Sequence, residues 1–452
     1  MSRIARGVVL ACALGTVWGF QGNVGAFKAG KPQLSIRGSS LLNMATALPV
    51  DEAAKSKASE KKRLHVAIGD KWYDLTGWRK AHPGGGHWID MYHERDATDI
   101  MSAFHSDEAM QMFQKFPTVK DKAPPQPNAN TLAFREFRAR LVREGWWERN
   151  PLKEAQVLLT WLGVFAAGAF TLNLNWLAGL TLLSVCQVTG GFLAHDYVHG
   201  RGKWCTLMRN FGCIGTGLSP KWWSNKHNKH HAATNVIGVD EDIMIDPAMW
   251  LWAPSPENDG WWRKYQHFYF LLPYATTLFI WRFDSIRVCL KEKLWGEGLT
   301  IAAHYAIFLA LFGPGWLFAQ VAIGGAMLAT IVTCTHQSEE YYEEYEDSFV
   351  DNQFSTSRDA VCSNPISEYV WGGMQYQLEH HLFPTMPRYK YPALVPVVQQ
   401  WAAEQGIEYR TAGEFEIVKR NIDTYKRVGA TSAVEGAPAS RQPEKYPGPM
   451  QN

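Results

Sequence analysis

Neither sign of charge dominates this chain: 45 basic residues stand against 43 acidic ones, so a nucleic-acid footprint is missing. The seven cysteines form no CxxC pair and no disulfide-framework spacing, which excludes a stapled secreted scaffold and reads as buried thiols. Internal repeats are absent, and so are acids at the amino end: Asp51 is the first Asp or Glu. Hydrocarbon is plentiful instead. The chain has 452 residues, a length that suggests two or three domains, and 46% are apolar and 13% aromatic.

The apolar residues fall into four blocks, about 156–172, 176–194, 267–281 and 300–335. Tryptophans gather at their edges, as at Trp146–Trp147, Trp222–Trp223, Trp250, Trp252 and Trp261–Trp262, where an indole can be half wet at a membrane interface. A span needs roughly 20 apolar residues. Residues 156–194 suffice for two spans with a polar turn at Asn173–Asn175, and 300–335 for two more, broken at Gly313-Pro314-Gly315. The 267–281 block is shorter and reads as an interfacial or re-entrant helix. Thr131 to Glu148 carries apolar residues at helical spacing (Phe134, Phe137, Leu141, Val142) among basic ones, a helix suited to the bilayer surface.

Three histidine clusters flank these blocks: H-D-Y-V-H at 195–199, H-N-K-H-H at 227–231 and Q-L-E-H-H at 377–381. Positions i, i+3 and i+4 share one helical face. His195 with His199, His227 with His230 and His231, and Gln377 with His380 and His381 therefore each point several ligand-type groups the same way. Imidazole suits iron and other transition metals in open sites, zinc included. The first cluster differs by one methylene from the H-E-x-x-H of zinc proteases, but the glutamate base is missing. The clusters meet only if an even number of crossings separates the second from the third, which favours four spans over five.

These motifs, extended through Trp222-Trp223-Ser224-Asn225 and Tyr376-Gln377 to Phe383-Pro384, resemble the membrane-bound fatty-acid desaturases over most of residues 130–425. The resemblance implies that the histidines ligate two irons that activate dioxygen. Gln377, where many relatives carry histidine, resembles the mark of front-end desaturases. His336, at the end of the last span, is implied as a further ligand, with a helix-end cap as its alternative. His304 reads as an interhelical hydrogen-bonding group, and Asp196 and Glu379 as acceptors for ligand N–H groups.

Trp72-Tyr73-Asp74-Leu75-Thr76, then His82-Pro83-Gly84-Gly85, then Phe104-His105-Ser106 resemble cytochrome b5 over residues 62–118. The resemblance implies a haem b held axially by His82 and His105. Two axial imidazoles leave no open position for oxygen, which suits electron transfer. Ala123-Pro124-Pro125-Gln126-Pro127 lies within a semi-rigid linker, 119–131. The desaturase domain would cover 132–425 and a disordered tail 426–452. Arg3 and Arg6 before the apolar run Val8–Trp18 have the anatomy of a secretory signal. With the basic, acid-free stretch that follows, residues 1–50 resemble the bipartite presequences of algal plastids, an ordinary signal anchor being the alternative.

The implied architecture is an all-α membrane protein of four transmembrane helices, capped by a histidine-ligated di-iron site, plus a small α+β haem domain. The implied activity is front-end desaturation of a polyunsaturated acyl lipid with O2 and electrons from a cytochrome b5 reductase or a ferredoxin. Position six is favoured for the new double bond, with four, five and eight as rivals. A haem-fused lipid hydroxylase and a sphingolipid long-chain-base desaturase remain alternatives, with plastid membrane favoured over endoplasmic reticulum as the location.

Overall fold

A computed structural model describes residues 63–439; the expected presequence lies outside them. Short alternating segments begin the fold. β1 (His65–Ile68) pairs antiparallel with β2 (Lys71–Asp74), and β2 with β3 (Thr118–Val119). Against this sheet lie α1 (His87–Met91), α2 (Thr98–Phe104) and α3 (Asp107–Phe113). They bury Val66, Tyr73, Leu75, Ile89, Ile100 and Phe113 together.

Beyond the proline-rich segment, Asn128 caps α4 (Ala129–Arg143) by accepting from the Thr131 amide at 2.8 Å. The apolar stripe of α4 was expected on a bilayer. Most of it is instead buried in protein: Phe134, Phe137 and Leu141 are at most 3% exposed and Phe137 stacks on Trp401 at 5.1 Å, while Val142 stays exposed. The reason is a ready partner, since the helix Tyr391–Gln405 offers Tyr391, Leu394, Val398 and Trp401, a face that removes the stripe from water more completely than a lipid surface would.

Asn150 and Asn175 cap α5 (Pro151–Thr171) and α6 (Trp176–His199), which form a hairpin around the expected polar turn. α7 (Gly202–Thr216) and α8 (Pro220–Ala232) follow, then α9 (Leu271–Lys291) and α10 (Trp295–Cys334). Among the described residues, three helices are long and apolar enough to cross a membrane: α5, α6 and the 40-residue α10. The break expected at Gly313-Pro314-Gly315 is present: α10 consists of two helical stretches that meet there. Gly313 leaves helical geometry at φ 77°, ψ 170° and Pro314 follows it, a proline having no N–H for the ladder. The 267–281 block differs from expectation. It starts later and runs on to Lys291, because Tyr274, Leu278, Arg282, Ser285, Val288 and Cys289 continue one buried face past the last apolar run.

The chain closes with α11 (Phe349–Thr356), the parallel pair β4 (Asp359–Val361) and β5 (Thr411–Gly413), α12 (Gln377–Leu382), α13 (Tyr391–Gln405) and α14 (Glu414–Ala430). The tail expected to be disordered from residue 426 is helical to Ala430. Its next stretch is held where Trp252 Nε1 donates to the Pro438 carbonyl at 2.7 Å and the Val434 amide to that of Pro254 at 2.9 Å.

The small domain is locked to the rest of the described chain by arginines. Arg135 on α4 pairs with Asp96 and Asp99, both at 2.8 Å. Arg138 donates to the Ser102 carbonyl at 2.5 Å and Arg201 to that of Ala103 at 2.9 Å. Cations suit these carbonyls, which sit at the negative end of α2.

Candidate metal centre

The last turn of α6 carries His195 and His199 inward. Ser219, accepting from the Trp222 amide at 3.0 Å, and Pro220 at the first helical position start α8, a favoured start for a helix. α8 then aims His227, His230 and His231 at the same point, and α12 supplies Gln377, His380 and His381. His336 follows the end of α10. All eight imidazoles are buried, none more than 7% exposed.

They divide into two groups. His195, His199, His227, His231 and His380 each bring one ligand nitrogen within 4.8 Å of the others, and His230, His336 and His381 do the same. Nε2 of His195 lies 2.7 Å from Nε2 of His227 and 3.2 Å from Nε2 of His199. Gln377 Nε2 stands 2.7 Å from His336 Nε2, while its Oε1 is buried without a partner. A half-turn of the amide exchanges the two atoms and gives the smaller group an oxygen ligand.

Outer groups orient the rings. His230 Nδ1 meets Asp240 at 2.8 Å, His381 Nδ1 meets Gln353 at 2.7 Å, and His336 Nδ1 meets the Thr356 carbonyl at 2.7 Å. Donation from Nδ1 leaves the Nε2 lone pair facing the centre. Burial pushes the pKa values of His227, His231, His380 and His381 well below the usual imidazole value, and that of His336 down to about 3. The rings are therefore neutral, the form that ligates. Converging lone pairs with buried, unpartnered nitrogens such as His380 Nε2 and His381 Nε2 fit two metal ions.

Neither acid expected to accept from a ligand does so. Asp196 pairs with Arg388 at 3.0 Å. Glu379 takes the Tyr409 hydroxyl at 2.8 Å, which Asp359 shares. Asp196 Oδ1 stops 3.9 Å from His195 Nδ1, beyond hydrogen-bond reach, a distance that spacing along the chain does not reveal. Asp240, Gln353 and Thr356 were missed because they lie 10, 28 and 20 residues from the rings they serve, outside any single helical turn. His304 Nδ1 donates to the Ile214 carbonyl, 2.8 Å away on α7, outside both groups.

In the small domain His82 and His105 face each other with ring centres 6.1 Å apart. A metal midway, at the about 2.0 Å usual for imidazole nitrogen, needs close to this spacing. His82 Nδ1 is tied to the Gly85 carbonyl at 2.9 Å, which frees Nε2. Gly85 turns there at φ 102°, and a Cβ would meet His87 Nδ1 at 2.7 Å. Burial lowers the pKa of His82 and takes that of His105 down to about 4, so both rings are neutral and the pair fits an axially ligated haem.

A cavity of about 1150 Å³ reaches the metal groups through His195, His227, His230, His336, Gln377 and His380. Its other walls include Phe192, Leu218, Trp223, Ile280, Trp281 and Leu328. A large apolar space meeting a few polar groups is the usual form of a ligand site.

Comparison with known proteins agrees with this geometry. Residues 172–413 match the fatty acid desaturase family, and residues 50–121 match the cytochrome b5-like haem/steroid binding domain. The chain belongs to the fatty acid desaturase family. It is 30% identical to the Delta(8)-fatty-acid desaturase of Euglena gracilis, across 76% of this chain and 90% of that protein. It is 28% identical to the acyl-lipid 8-desaturase of Rebecca salina (83% and 94% covered) and to a Delta(6)-fatty-acid desaturase of Caenorhabditis elegans (81% and 96%). As a desaturase with a fused cytochrome b5 domain, the protein is an oxidoreductase that uses haem, and its histidine groups fit the family's di-iron centre.

Proposed function

We propose that the protein is a front-end acyl-lipid desaturase, placing a cis double bond between an existing one and the carboxyl end of a polyunsaturated chain. One observation carries this reading. Gln377 stands beside His336 on the wall of the apolar cavity, completing the smaller ligand group. Relatives named for positions five, six and eight support the class; position six remains our preference within it.

The metal ligands are His195, His199, His227, His230, His231, His336, His380 and His381, with Gln377 beside them, and the haem ligands His82 and His105. Bound iron would supply the oxygen chemistry needed to remove hydrogen from unactivated methylenes, which no side chain can do. The protein's own part is placement. Asp240, Gln353 and the Thr356 carbonyl hold three rings by their Nδ1 hydrogens. The cavity walls bind the acyl chain, exclude water and set how far it enters. Because apolar pockets discriminate by only about 1–3 kcal/mol per methylene, neighbouring carbons should be minor sites.

In the membrane, α10 crosses twice, bending at Gly313, so that four spans leave the histidine clusters on one side. The haem domain is 62–118, the linker 119–131, the desaturase domain 132–425. The acid-free amino end favours a plastid membrane, with ferredoxin as the matching donor; the endoplasmic reticulum would pair with a flavin reductase. The test is expression in yeast fed with defined unsaturated acids, followed by location of the new double bond. Loss of two hydrogens on the carboxyl side of an existing double bond is expected. Gain of an oxygen atom, or modification of a long-chain base instead, would replace the proposal.

A further inference from the structure

Phe104 joins the two sites. It is bonded through the peptide chain to the haem-side His105, and its ring lies 5.7 Å, centre to centre, from His199 and 5.7 Å from His231. Both imidazoles belong to the five-histidine metal group. Everything from the His105 ring to the Phe104 ring is covalent, so one short gap across van der Waals contact separates the haem axial ligand from the metal ligands.

The position of this ring is built rather than incidental. The residues immediately before it are gripped from the desaturase side, Ser102 by Arg138 at 2.5 Å and Ala103 by Arg201 at 2.9 Å. Asp99, one turn earlier on α2, is held by Arg135 at 2.8 Å. Three guanidinium groups thus spend their hydrogen bonds on the one helix that ends in Phe104. Fixed alignment matters here because a small displacement widens the gap, and packed aromatic contact is lost steeply with separation.

We propose that Phe104 is the electron relay between the haem and the metal centre, with Arg138 and Arg201 as its positioning residues. The inference rests on the desaturase reading above. Each double bond formed releases two electrons and two protons from the acyl chain. Reducing O2 to two waters takes four electrons, so two more pass singly through Phe104 from the haem, accompanied by two protons from water. The haem is oxidised at each passage and is recharged by the external donor.

The test uses the full-length holoenzyme with haem and iron loaded. The haem is reduced chemically, and its optical spectrum is followed after mixing with O2 and acyl substrate, independently of product formation. Phe104→Leu should slow reoxidation about tenfold or more, with haem content, iron content and the melting temperature of the metal-free protein unchanged. Phe104→Trp and Phe104→Tyr, which keep a ring, should remain within about threefold of native. A leucine variant reoxidised as fast as native would overturn the relay. Equal slowing by all three substitutions would overturn it too, since the ring would then be irrelevant. Should Phe104→Leu lose haem, the double variant Arg138→Gln/Arg201→Gln carries the test: slower reoxidation with haem retained supports the relay, and unchanged reoxidation ends it. A native haem that O2 and substrate never reoxidise would instead overturn the desaturase reading of the haem domain, whatever Phe104 does.

Discussion

The proposed haem ligands His82 and His105 are half-buried and come from two short segments of one small domain, whereas the eight imidazoles proposed for the metal centre are all buried and come from four places in the chain. The contrast follows from what each cofactor brings. A haem carries its own equatorial nitrogens, so the protein supplies only two axial rings. A bare ion brings nothing, and the chain must provide every ligand and the outer hydrogen bonds that aim it. The haem site therefore depends on local geometry, while the metal site depends on the packing of α6, α8, α10 and α12.

The largest effects should separate the two sites outright. His230→Ala or His380→Ala is expected to lower desaturation on the order of a thousandfold or more with the haem spectrum intact, and His82→Ala to remove the haem with iron retained. Product assays beside optical spectra and iron analysis decide it; a shared loss in either variant would collapse the distinction. Gln377→His comes next. It should cut desaturation strongly while iron stays bound, because it replaces an amide oxygen by a larger, more basic ligand beside His336. Full activity would show that the amide does not tune the centre.

Outer groups should give graded losses at one site only. Asp240→Asn is expected to weaken iron binding by about 10–100-fold, measured by chelator competition, with haem affinity unaltered. An unchanged iron affinity would mean that His230 orients itself. The smallest effect should be backbone strain. Gly313→Ala puts a side chain at φ 77° and should cost about 1 kcal/mol or more, seen as a lower melting temperature with both cofactors still bound. If the temperature does not move, the bend in α10 is set by its neighbours and not by glycine.

The legibility of the two regions differed in the same way. The facing pair proposed for the haem was readable because His82 and His105 lie within motifs a few residues long, and a turn such as His82 to Gly85 is decided by its own residues. Ligand types at the metal centre were readable too, since i, i+3 and i+4 spacing on a helix sets which side chains share a face. Their partition into a group of five and a group of three with Gln377 was not, nor were Asp240 and Gln353, which reach His230 and His381 from other parts of the chain. The α4 stripe shows the same boundary. Its amphipathic pattern was plain, but the pattern does not say whether lipid or Trp401 covers it.

By itself the sequence determined the helices, their caps, the apolar lengths and the kinds of atom offered to metal and haem, because each depends on residues within a turn or two. Only the tertiary structure decided which rings converge, which outer groups orient them and that Phe104 lies against His199 and His231. Those relations are set by how rigid helices rotate and pack against one another, and that rotation is fixed by contacts between residues far apart in the chain.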